Sequence, residues 1–334
     1  MFRQRLSGII LLILLINSSS FLFADIYEVE DGKFEFIGLD TWSPEELIDS
    51  IKAYSPPGKF HPCAAILINK MGFSDAACHS YLNEGQKYTI IKVIEKQHAN
   101  NVQYLTENKD LMETEKEYLP IQEYVQNIFP FQMAIQAYPY YLRDADDTVN
   151  AFLQWSGLEE NDVTPLFEFI SEHNTRQDYR TAMKHLKFDG NTENQMSAML
   201  LLMNFPKNDQ TWKILLHYYR HPNTEMRMLT NLVFATLLKD DVPNINWRSE
   251  KNTIYYLLNG TNYFCYDNVL ALLRKSKVNI GLIKRMLPDI KNPMISHLNV
   301  EYEPVKAEVI LFLRYVSLLH DGTEAELEDW IRAY

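Results

Sequence analysis

The chain has 334 residues, a formal net charge of −12 at pH 7, and only 11 glycines and 14 prolines. An acidic surface disfavours nonspecific binding to nucleic acid or to anionic membranes, and so few turn residues argue against an all-β protein. Three cysteines do not make a disulfide framework. The length is ample for a large core and suggests roughly two domains.

The N-terminus has the order of a secretory signal peptide, residues 1–24. Arg3 and Arg5 give a basic start, and an apolar run from Gly8 to Ile16 is too short to span a bilayer comfortably. Ala24 is a small residue at the expected cleavage point, and removing the signal changes the net charge from −12 to −14. The sequence predicts an exported protein, secreted or periplasmic, cut after Ala24 and without an integral membrane segment thereafter.

Residues 25–110 predict a small α+β domain. Asp31-Gly32 is a strong turn signal between two alternating segments, which predicts a β-hairpin. Ser43 and Glu46 form a capping box for the helix that follows and reaches Tyr54. The β-branched stretch KYTIIKVIEK predicts a strand, and NVQYL beyond it is expected to pair with that strand.

The stretch HPCAAILINKMGFSDAACH, residues 61–79, looks most like a chemical site. Its apolar spacing predicts two short helices, one beginning near Pro62 and ending at Gly72, the other capped by Ser74. Each predicted helix places a cysteine, Cys63 or Cys78, on its apolar face. The question is whether these cysteines bind metal, react, form a bridge or simply pack.

A zinc site at this stretch would use His61, Cys63, Cys78 and His79. The spacing is wrong, because adjacent residues of a helix point about 100° apart and cannot easily share one metal. A nucleophilic Cys–His pair lacks a third, orienting group. Two interpretations stay open. Export to an oxidising compartment favours a Cys63–Cys78 disulfide, worth about 3 kcal/mol in the chain-entropy model, whereas buried thiols would pack as small apolar groups.

Residues 111–146 connect this domain to the rest of the chain. They predict one helix near residues 121–129 and then an irregular, proline-broken segment rich in aromatic side chains. Because buried aromatic residues most often serve packing, we expect these side chains to fill the interface between the two parts rather than bind a ligand. They are Phe129, Phe131, Tyr138, Tyr140 and Tyr141.

Residues 147–334 contain an internal repeat. NTENQMSAMLLLMNF begins at Asn191 and NTEMRMLTNLVFATLL begins at Asn223, a displacement of 32 residues. Weaker copies begin at Asn262 and Glu301, each 39 residues further on. Helix pairs that recur at this period predict an α-solenoid, because each pair must stack on its neighbours to bury its apolar surface. A capping box formed by Thr323 and Glu326 (not part of the repeat) begins a last, polar helix.

The stretch PNTEMRMLTNLVFATLL resembles the HEAT-like repeats, particularly the short-repeat variety. Pro222 and Asn223 match their turn, and Arg227 follows Met226 where these repeats have an arginine after a valine-like position. The resemblance covers residues 147–334 and implies a long concave surface that binds other chains without doing chemistry. The predicted fold is mainly α: a C-terminal α-solenoid of HEAT-like helix pairs preceded by the small α+β domain. A compact helical bundle is the structural alternative.

Several tyrosines of the repeat half, together with a histidine of the HYYRH stretch, are candidate partner-binding residues, because tyrosine is enriched at binding hot spots. At helical spacing in a solenoid, packing in the core is their alternative role. The candidates are Tyr218, His221, Tyr255, Tyr256 and Tyr263. Asn259-Gly260-Thr261 is a glycosylation sequon, with meaning only in a eukaryotic protein.

The leading hypothesis is an exported, non-catalytic scaffold or inhibitor that binds another protein, with the acidic charge favouring a basic partner. No catalytic motif and no cofactor signature accompany it. The less favoured hypothesis is an envelope enzyme or enzyme subunit with its site in the cleft between the two halves, because clefts between domains are common ligand sites. His61, Asp75 and His79 motivate it. A purely structural envelope component is a third hypothesis.

Overall fold

A computed structural model of the chain describes residues 26–29, 32–55, 64–83, 86–128, 131–143 and 145–334. The predicted signal peptide, His61, Cys63 and Phe129 lie outside these residues. The described chain is mostly helical, with one small sheet near its N-terminal end. The predicted fold class, an α+β N-terminal part followed by many helices, is confirmed.

The sheet has four strands: β1 (Tyr27–Val29), β2 (Gly32–Ile37), β3 (Asp75–Asn83) and β4 (Gln86–Ile94). Their spatial order is β1-β2-β4-β3, with β2 and β4 parallel and the other two pairs antiparallel. The predicted hairpin is confirmed, although Gly32, which was expected in the turn, belongs to β2 and pairs with Val29.

Two helices, α1 (Pro44–Tyr54) and α2 (Ala64–Asn69), follow β2 and cover one face of the sheet. The predicted capping box of α1 is present, since Ser43 and Glu46 each accept the backbone N–H of the other. Leu47 and Ile51 of α1 are buried against the sheet, whereas Tyr54, expected on the same face, is exposed. We call the side of the sheet that faces away from α1 and α2 its inner face.

The helix predicted after Ser74 is wrong, because residues 75–83 form strand β3. This strand pairs with β4 along its whole length, from Asp75 opposite Ile94 to Asn83 opposite Gln86. Local apolar spacing fits either structure, and the neighbouring strand decides between them. The predicted strand NVQYL is also wrong. β4 continues instead into a 3-10 helix, Lys96–Asn101, and then into an extended segment without regular secondary structure.

The remaining α-helices form the larger part of the chain. They are α3 (Gln122–Gln126), α4 (Gln132–Tyr141), α5 (Asp146–Ser156), α6 (Glu160–Glu172), α7 (Arg176–Phe188), α8 (Thr192–Leu201), α9 (Asp209–Tyr218), α10 (Thr224–Leu237), α11 (Lys251–Leu258), α12 (Tyr266–Lys275), α13 (Ile280–Leu298), α14 (Glu303–Ser317) and α15 (Glu324–Arg332). The capping box of Thr323 and Glu326 begins α15 as predicted. None of the helices in the described ranges is long and apolar enough to cross a membrane.

Helices α7 to α15 follow the packing pattern of a two-row stack. Row A contains α7, α9, α11, α13 and α15, and row B contains α8, α10, α12 and α14. Each row-A helix from α7 to α13 packs against the row-B helix that follows it in the chain. Neighbouring helices of the same row also pack together: α9–α11, α11–α13 and α13–α15 in row A, and α8–α10 and α12–α14 in row B. All four repeated sequence stretches begin row-B helices. This arrangement is compatible with a helical repeat.

The irregular segment predicted before residue 146 is instead helix α4, which keeps Pro139 in its last turns. Its aromatic side chains pack within the helical part rather than against the sheet. Tyr138 and Tyr141 contact Phe167 of α6, with ring centroids 5.7 and 4.9 Å apart. Burial of this apolar face stabilises the helix despite the backbone hydrogen bond that proline removes.

The bridge between Cys63 and Cys78 stays a prediction, because Cys63 lies outside the described residues. Cys78 packs in the cluster between the sheet and α1–α2, and so does Ala64, the residue after Cys63. We expect alkylation of the unfolded, unreduced protein to modify one cysteine, Cys265, and reduction to expose three. The variant Cys63→Ser should lower the free energy of unfolding by about 3 kcal/mol under oxidising conditions only. Three reactive thiols before reduction, measured by intact mass, would contradict the bridge.

Candidate functional site

The turns that precede the row-B helices lie along one side of the helical array, and we call this side the turn face. It consists of residues 188–191, 219–223, 259–265 and 299–302. Asn191, Asn223, Asn262 and Glu301 occupy equivalent places in the four turns, by the repeat period of 32 and then 39 residues. Hydrogen bonds from the sheet and from the segment after β4 join these parts of the chain to the turn face.

In the first two turns, the backbone N–H of the asparagine donates a hydrogen bond to the side chain of the residue two positions earlier in the chain. Asn191 N donates to Asp189 Oδ1 at 2.8 Å, and Asn223 N donates to His221 Nδ1 at 3.1 Å. The side chains of both asparagines then cap their helices by accepting backbone N–H groups of the first turn. These two turns therefore satisfy their own polar groups.

In the last two turns, the sheet supplies the acceptor. Asn262 N donates to Asp75 Oδ2 at 2.6 Å, and Glu301 N donates to Glu35 Oε1 at 2.6 Å. The third turn has Gly260 where the first two have Asp189 and His221, so it carries no side chain that could accept this bond. Two buried carboxylates on the inner face of the sheet thus complete the turn face.

Both carboxylates are deeply buried, since Asp75 is 4% exposed and Glu35 is fully buried. Burial raises the pKa of each carboxyl above its usual value, while the hydrogen bonds from the turns oppose that shift. Asp75 also accepts a hydrogen bond from Tyr104 Oη at 2.7 Å. A buried carboxylate without such donors is strongly destabilising, so these contacts fix where the sheet lies on the array.

Arg227, the arginine on which the HEAT-like resemblance rests, holds the second turn together. Its guanidinium donates to the carbonyl oxygens of His221 and Pro222 at 2.7 and 2.8 Å. It also lies over the ring of Tyr104, 4.5 Å from the centroid. Since Tyr104 donates to Asp75, a chain of contacts connects the repeat motif to the buried carboxylate.

Residues 102–115, which we call the strap, run in an extended conformation along the turn face. Leu105 N donates to the carbonyl oxygen of Arg220 at 2.7 Å, and the Asn108 carboxamide donates to the carbonyl oxygen of Phe188. Phe188 and Arg220 are 32 residues apart and therefore equivalent in the repeat. The strap thus contacts the same backbone group in two successive turns.

Further contacts hold the two ends of the strap. At its start, Gln103 N donates to Thr261 Oγ1 at 3.0 Å, and Arg220 binds both the carbonyl and the side-chain oxygen of Gln103 at 2.8 Å. At its end, Met112 N donates to Asp189 Oδ1 at 3.0 Å. The strap therefore spans the first three turns of the face.

Gly190 allows the strap to approach the first turn closely. Its N–H donates to the carbonyl oxygen of Asp110 at 2.6 Å. A Cβ atom at this position would lie 2.3 Å from the carbonyl oxygen of Asn108 and 3.2 Å from that of Asp110. The glycine is required by this contact with the strap rather than by its backbone conformation.

A second polar cluster lies on the inner face of the sheet around Lys92. The ammonium group is fully buried and lies 3.7 Å from Asp267 Oδ2. Within the described parts of the chain, Lys92 Nζ, Asp267 Oδ1, His79 Nε2, Tyr266 Oη and His297 Nε2 are all buried without a hydrogen-bond partner. Such a concentration of unsatisfied polar groups is costly.

The ionisation of this cluster follows from its burial. Burial lowers the pKa of His79 to about 3, and it lowers the pKa of His297 and of Lys92 below their usual values. The Lys92 charge adds to the effect on both histidines. Burial also raises the pKa of the Cys265 thiol, which therefore stays protonated and unreactive. The two histidines are neutral at pH 7.

A cleft of about 310 Å³ opens between the sheet and the array, beside this cluster. One wall contains the loop Gly38–Asp40, the end of β4, His98 and Asn101; the other contains Asn259, Tyr263, α13 from Asp289 to Asn299, and Arg332. Gly38 lets the loop pass the end of β4, because a Cβ there would lie 2.1 Å from the carbonyl oxygen of Val93.

Glu95 fixes the loop that forms the first wall. Its carboxylate accepts the backbone N–H groups of Asp40, Thr41 and Trp42 at 2.7 to 3.1 Å. Burial alone would raise the pKa of Glu95, but these hydrogen bonds outweigh it and lower the pKa to about 2. The carboxylate is therefore ionised throughout the physiological pH range and holds this wall rigidly.

The residues that motivated the enzyme hypothesis are not brought together at the cleft. Asp75 and His79 lie on the inner face of the sheet but do not line the cleft, and His61 is outside the described residues. Cys78 and His79 are adjacent in a strand and point to opposite faces, so the pair cannot share a metal ion. No group of three or more potential metal ligands is found in the part of the chain that the structure describes.

Three of the five candidate partner-binding residues are buried and contribute to packing. Tyr218 donates to the carbonyl oxygen of Leu186 at 2.6 Å, His221 accepts from its own turn, and Tyr263 contacts Tyr266 and His297. The other two, Tyr255 and Tyr256, are half-buried, and partner binding by them stays a prediction. Tyr256 lies under the guanidinium of Arg220, 4.8 Å from its ring centroid.

Sequence reasoning missed Glu35 and the strap, and it assigned Asp75 to an enzyme site rather than to the contact with the turn face. The sequon at Asn259 is also buried, since Asn259 is 4% exposed and Thr261 is engaged with the strap. A sequence signal for Glu35 and for Lys92 was available. Each stands inside an apolar strand whose neighbouring residues point alternately to the two faces of the sheet, both of which are covered. A charge at such a position must be buried.

We predict that His79→Phe removes part of the acid sensitivity of the protein. With a pKa of about 6.5 unfolded and about 3 folded, His79 binds its proton more readily in the unfolded state. Stability is therefore lost as pH falls below 6.5, by about 2 kcal/mol between pH 7 and pH 5. Urea unfolding at both pH values measures this difference. The exposed His320→Phe variant should behave as the wild type, and an unchanged difference in His79→Phe would refute the assignment.

We also predict that Gly190→Ala releases the strap. The added Cβ overlaps the carbonyl oxygen of Asn108, and overpacking of this kind costs about 1–3 kcal/mol. Hydrogen exchange should become faster in residues 105–112, while α8 and α10 keep their protection. Gly281→Ala, where the nearest atom is a side-chain oxygen at 3.2 Å, is the matched control. Unchanged exchange in the strap would show that Gly190 is not needed for its docking.

No protein-family model, curated protein or solved structure matches this chain. The HEAT-like resemblance therefore rests on the repeat residues, on the two-row stack and on the position of Arg227 in the second turn. The turn face, with the sheet and strap bound to it, is the surface on which these observations converge.

Proposed function

We propose that this chain is an exported, non-catalytic protein-binding protein, a scaffold or inhibitor that uses the turn face of a HEAT-like helical array. The observation that carries the proposal is the strap. The turn face already binds an extended polypeptide, residues 102–115 of the same chain, through main-chain and side-chain hydrogen bonds in three successive turns.

The spacing of these contacts suits an extended chain in general. Leu105 and Asn108, three residues apart, bind the equivalent carbonyl oxygens of Arg220 and Phe188. Three extended residues span about 10 Å, and neighbouring packed helices are about 8–10 Å apart. One repeat step of the array therefore matches three residues of an extended peptide, with one contact made by the peptide backbone and the other by an asparagine side chain.

The far end of the strap offers a surface for a second chain. Leu111 is 77% exposed and Phe188 is 61% exposed, and the backbone segments that carry them are hydrogen-bonded to each other. Scattered exposed apolar residues are normal, but two large ones on adjoining segments suit a partner contact. Glu107, Asp110 and Glu113 flank them and outnumber the neighbouring Lys109 and Lys187, which favours a partner with basic and apolar groups.

The enzyme alternative keeps one supporting observation, which is the cleft between the sheet and the array. The residues that motivated this alternative do not line the cleft. Asp75 is hydrogen-bonded to the turn face, and His79 lies elsewhere on the inner face of the sheet. The protein-binding proposal therefore has the stronger support from geometry. Export through the predicted signal peptide, residues 1–24, is part of the same proposal and is tested by sequencing the N-terminus of the mature protein.

We expect the double variant Leu111→Ser/Phe188→Ser to lose a stoichiometric partner. The tagged full-length protein would be recovered from the cells that produce it, and the bound proteins would be quantified by mass spectrometry and then titrated in purified form. Removing two apolar anchors should weaken binding at least tenfold, because each contributes on the order of 1 kcal/mol or more at an interface.

The matched control is Tyr54→Ser/Ile68→Ser, which removes two exposed apolar side chains from α1 and α2. It should retain the partner. Equal recovery with both double variants would place the interface elsewhere, and turnover of a substrate with no saturable partner would overturn the proposal.

A further inference from the structure

The cleft between the sheet and α13 contains a group of carboxamide side chains without intramolecular partners. Asn101, Asn259, Asn292 and Asn299 all line it, and none of these four side chains makes a hydrogen bond to another described residue. Asn259 is the most informative, because it is 4% exposed and would normally be hydrogen-bonded at such burial. Its position in the cleft wall lets solvent or a ligand supply the hydrogen-bond partner that the rest of the fold does not.

The wall formed by α13 adds further polar groups. Ser296 lines the cleft one helical turn after Asn292. Pro293 lies inside the helix and has no N–H, which leaves the carbonyl oxygen of Asp289 without its usual helical donor. Carboxamides and a hydroxyl both donate and accept hydrogen bonds, so this wall matches a ligand that does the same at several closely spaced atoms.

The charges of the cleft exclude anionic ligands. Arg332 is held by Glu328, and His98 is held by Asp40 at 3.1 Å. Asp289 has no ion-pair partner among the residues that the structure describes. With Arg332 already paired and the Asp289 carboxylate left over, the cleft would repel phosphate or carboxylate groups.

The size and the apolar surface of the cleft further restrict the class of ligand that would fit. Its volume of about 310 Å³ is at the lower end of the range for small-molecule sites, about 300–1,000 Å³. Tyr263, Pro293 and Ile295 supply an apolar part of the lining, and contacts with Tyr266 and His297 hold the Tyr263 ring in place. This combination fits small rings with polar edges and apolar faces.

We propose that this cleft binds a neutral saccharide of one or two rings, with the four asparagines and Ser296 bonding its hydroxyl groups. A saccharide carries neighbouring hydroxyls that donate and accept, has no charge, and presents C–H faces to an aromatic or aliphatic wall. The site shares Asn259, Tyr263 and Asn299 with the last two turns of the turn face, but it does not include Leu111 or Phe188 and does not depend on protein binding there.

The test uses the full-length mature protein and saturation-transfer NMR with glucose, galactose, N-acetylglucosamine and their disaccharides. The same sugars as 6-phosphates, and a neutral tripeptide, are the competing ligand classes. We expect at least one neutral sugar to bind and its phosphate and the tripeptide not to bind. Binding of none of the neutral sugars, or preferential binding of a phosphate or of the tripeptide, would overturn the proposal.

Substitutions in the cleft wall test whether the sugar binds at this site. Asn292→Leu changes an exposed residue of the cleft wall and should weaken sugar binding at least tenfold, whereas Asn252→Leu, on the exposed side of α11, should leave it unchanged. Ser296→Val is a second cleft variant in case Asn292→Leu fails to fold, which thermal unfolding would show. Equal affinity in the wild type and in the folded cleft variants would refute the assigned site. Leu111→Ser/Phe188→Ser should bind the sugar normally, which separates this test from that of the turn face.

Discussion

Two buried carboxylates, Asp75 and Glu35, determine how the N-terminal sheet sits on the helical array. Each accepts the backbone N–H that opens a row-B turn, at Asn262 and at Glu301. A carboxylate withdrawn from water without donors is destabilising by several kcal/mol, and a buried N–H without an acceptor adds to that cost. Both penalties vanish only when the sheet lies in this one register, so the polar contacts provide specificity that apolar packing alone would not.

The same constraint explains why the sheet carries charge on a buried face. Apolar packing of the inner face is provided by Ile37, Ile90 and Tyr88 against Val300 and Val305. That packing would tolerate small shifts, since apolar contacts have little directional preference. The carboxylates do not tolerate them, because hydrogen bonds weaken steeply with distance and angle. Lys92, by contrast, is buried without a hydrogen-bond partner, and its charge adds to the effect of burial in lowering the pKa of His79, which makes this part of the interface sensitive to acid.

Much of the fold could be predicted from the sequence, because its signals are local. The capping boxes at Ser43 and Thr323 and the repeat from Asn191 to Asn223 depend only on neighbouring residues, and all are present in the structure. Strand β3 was predicted as a helix because residues 75–83 fit both periodicities, and only the pairing with β4 distinguishes them. The strap could not be predicted, since its conformation depends on acceptors more than 100 residues away, as Leu105 and Arg220 show.

The candidate site was predicted less well than the fold, and for a physical reason. Individual residues such as Tyr218 and Tyr263 were chosen by type, but residue type does not distinguish a buried anchor from an exposed one. The repeat itself was the better guide. It recurs most strongly at the start of the row-B helices, where Asn191 and Asn223 cap the helix and their N–H groups are bound. Hydrogen bonding at the turn face, as well as helix packing, therefore explains why these residues are repeated.

The first two turns and the last two turns differ in whether another part of the chain must supply an acceptor for their backbone N–H groups. The strap and the sheet therefore have different structural roles. The first two turns bind their own N–H groups through Asp189 and His221, so they stay satisfied when the strap leaves. The last two lose an acceptor when the sheet leaves. The start of the strap is bound to buried groups, since Gln103 pairs with Arg220 and Tyr104 donates to Asp75. Displacing the far end, from Asn108 onward, exposes mainly backbone groups that water can bind, whereas removing the sheet leaves Asn262 and Glu301 without their carboxylates. A competing extended chain can therefore replace the far end of the strap at modest cost, while its start and the sheet remain fixed parts of the fold.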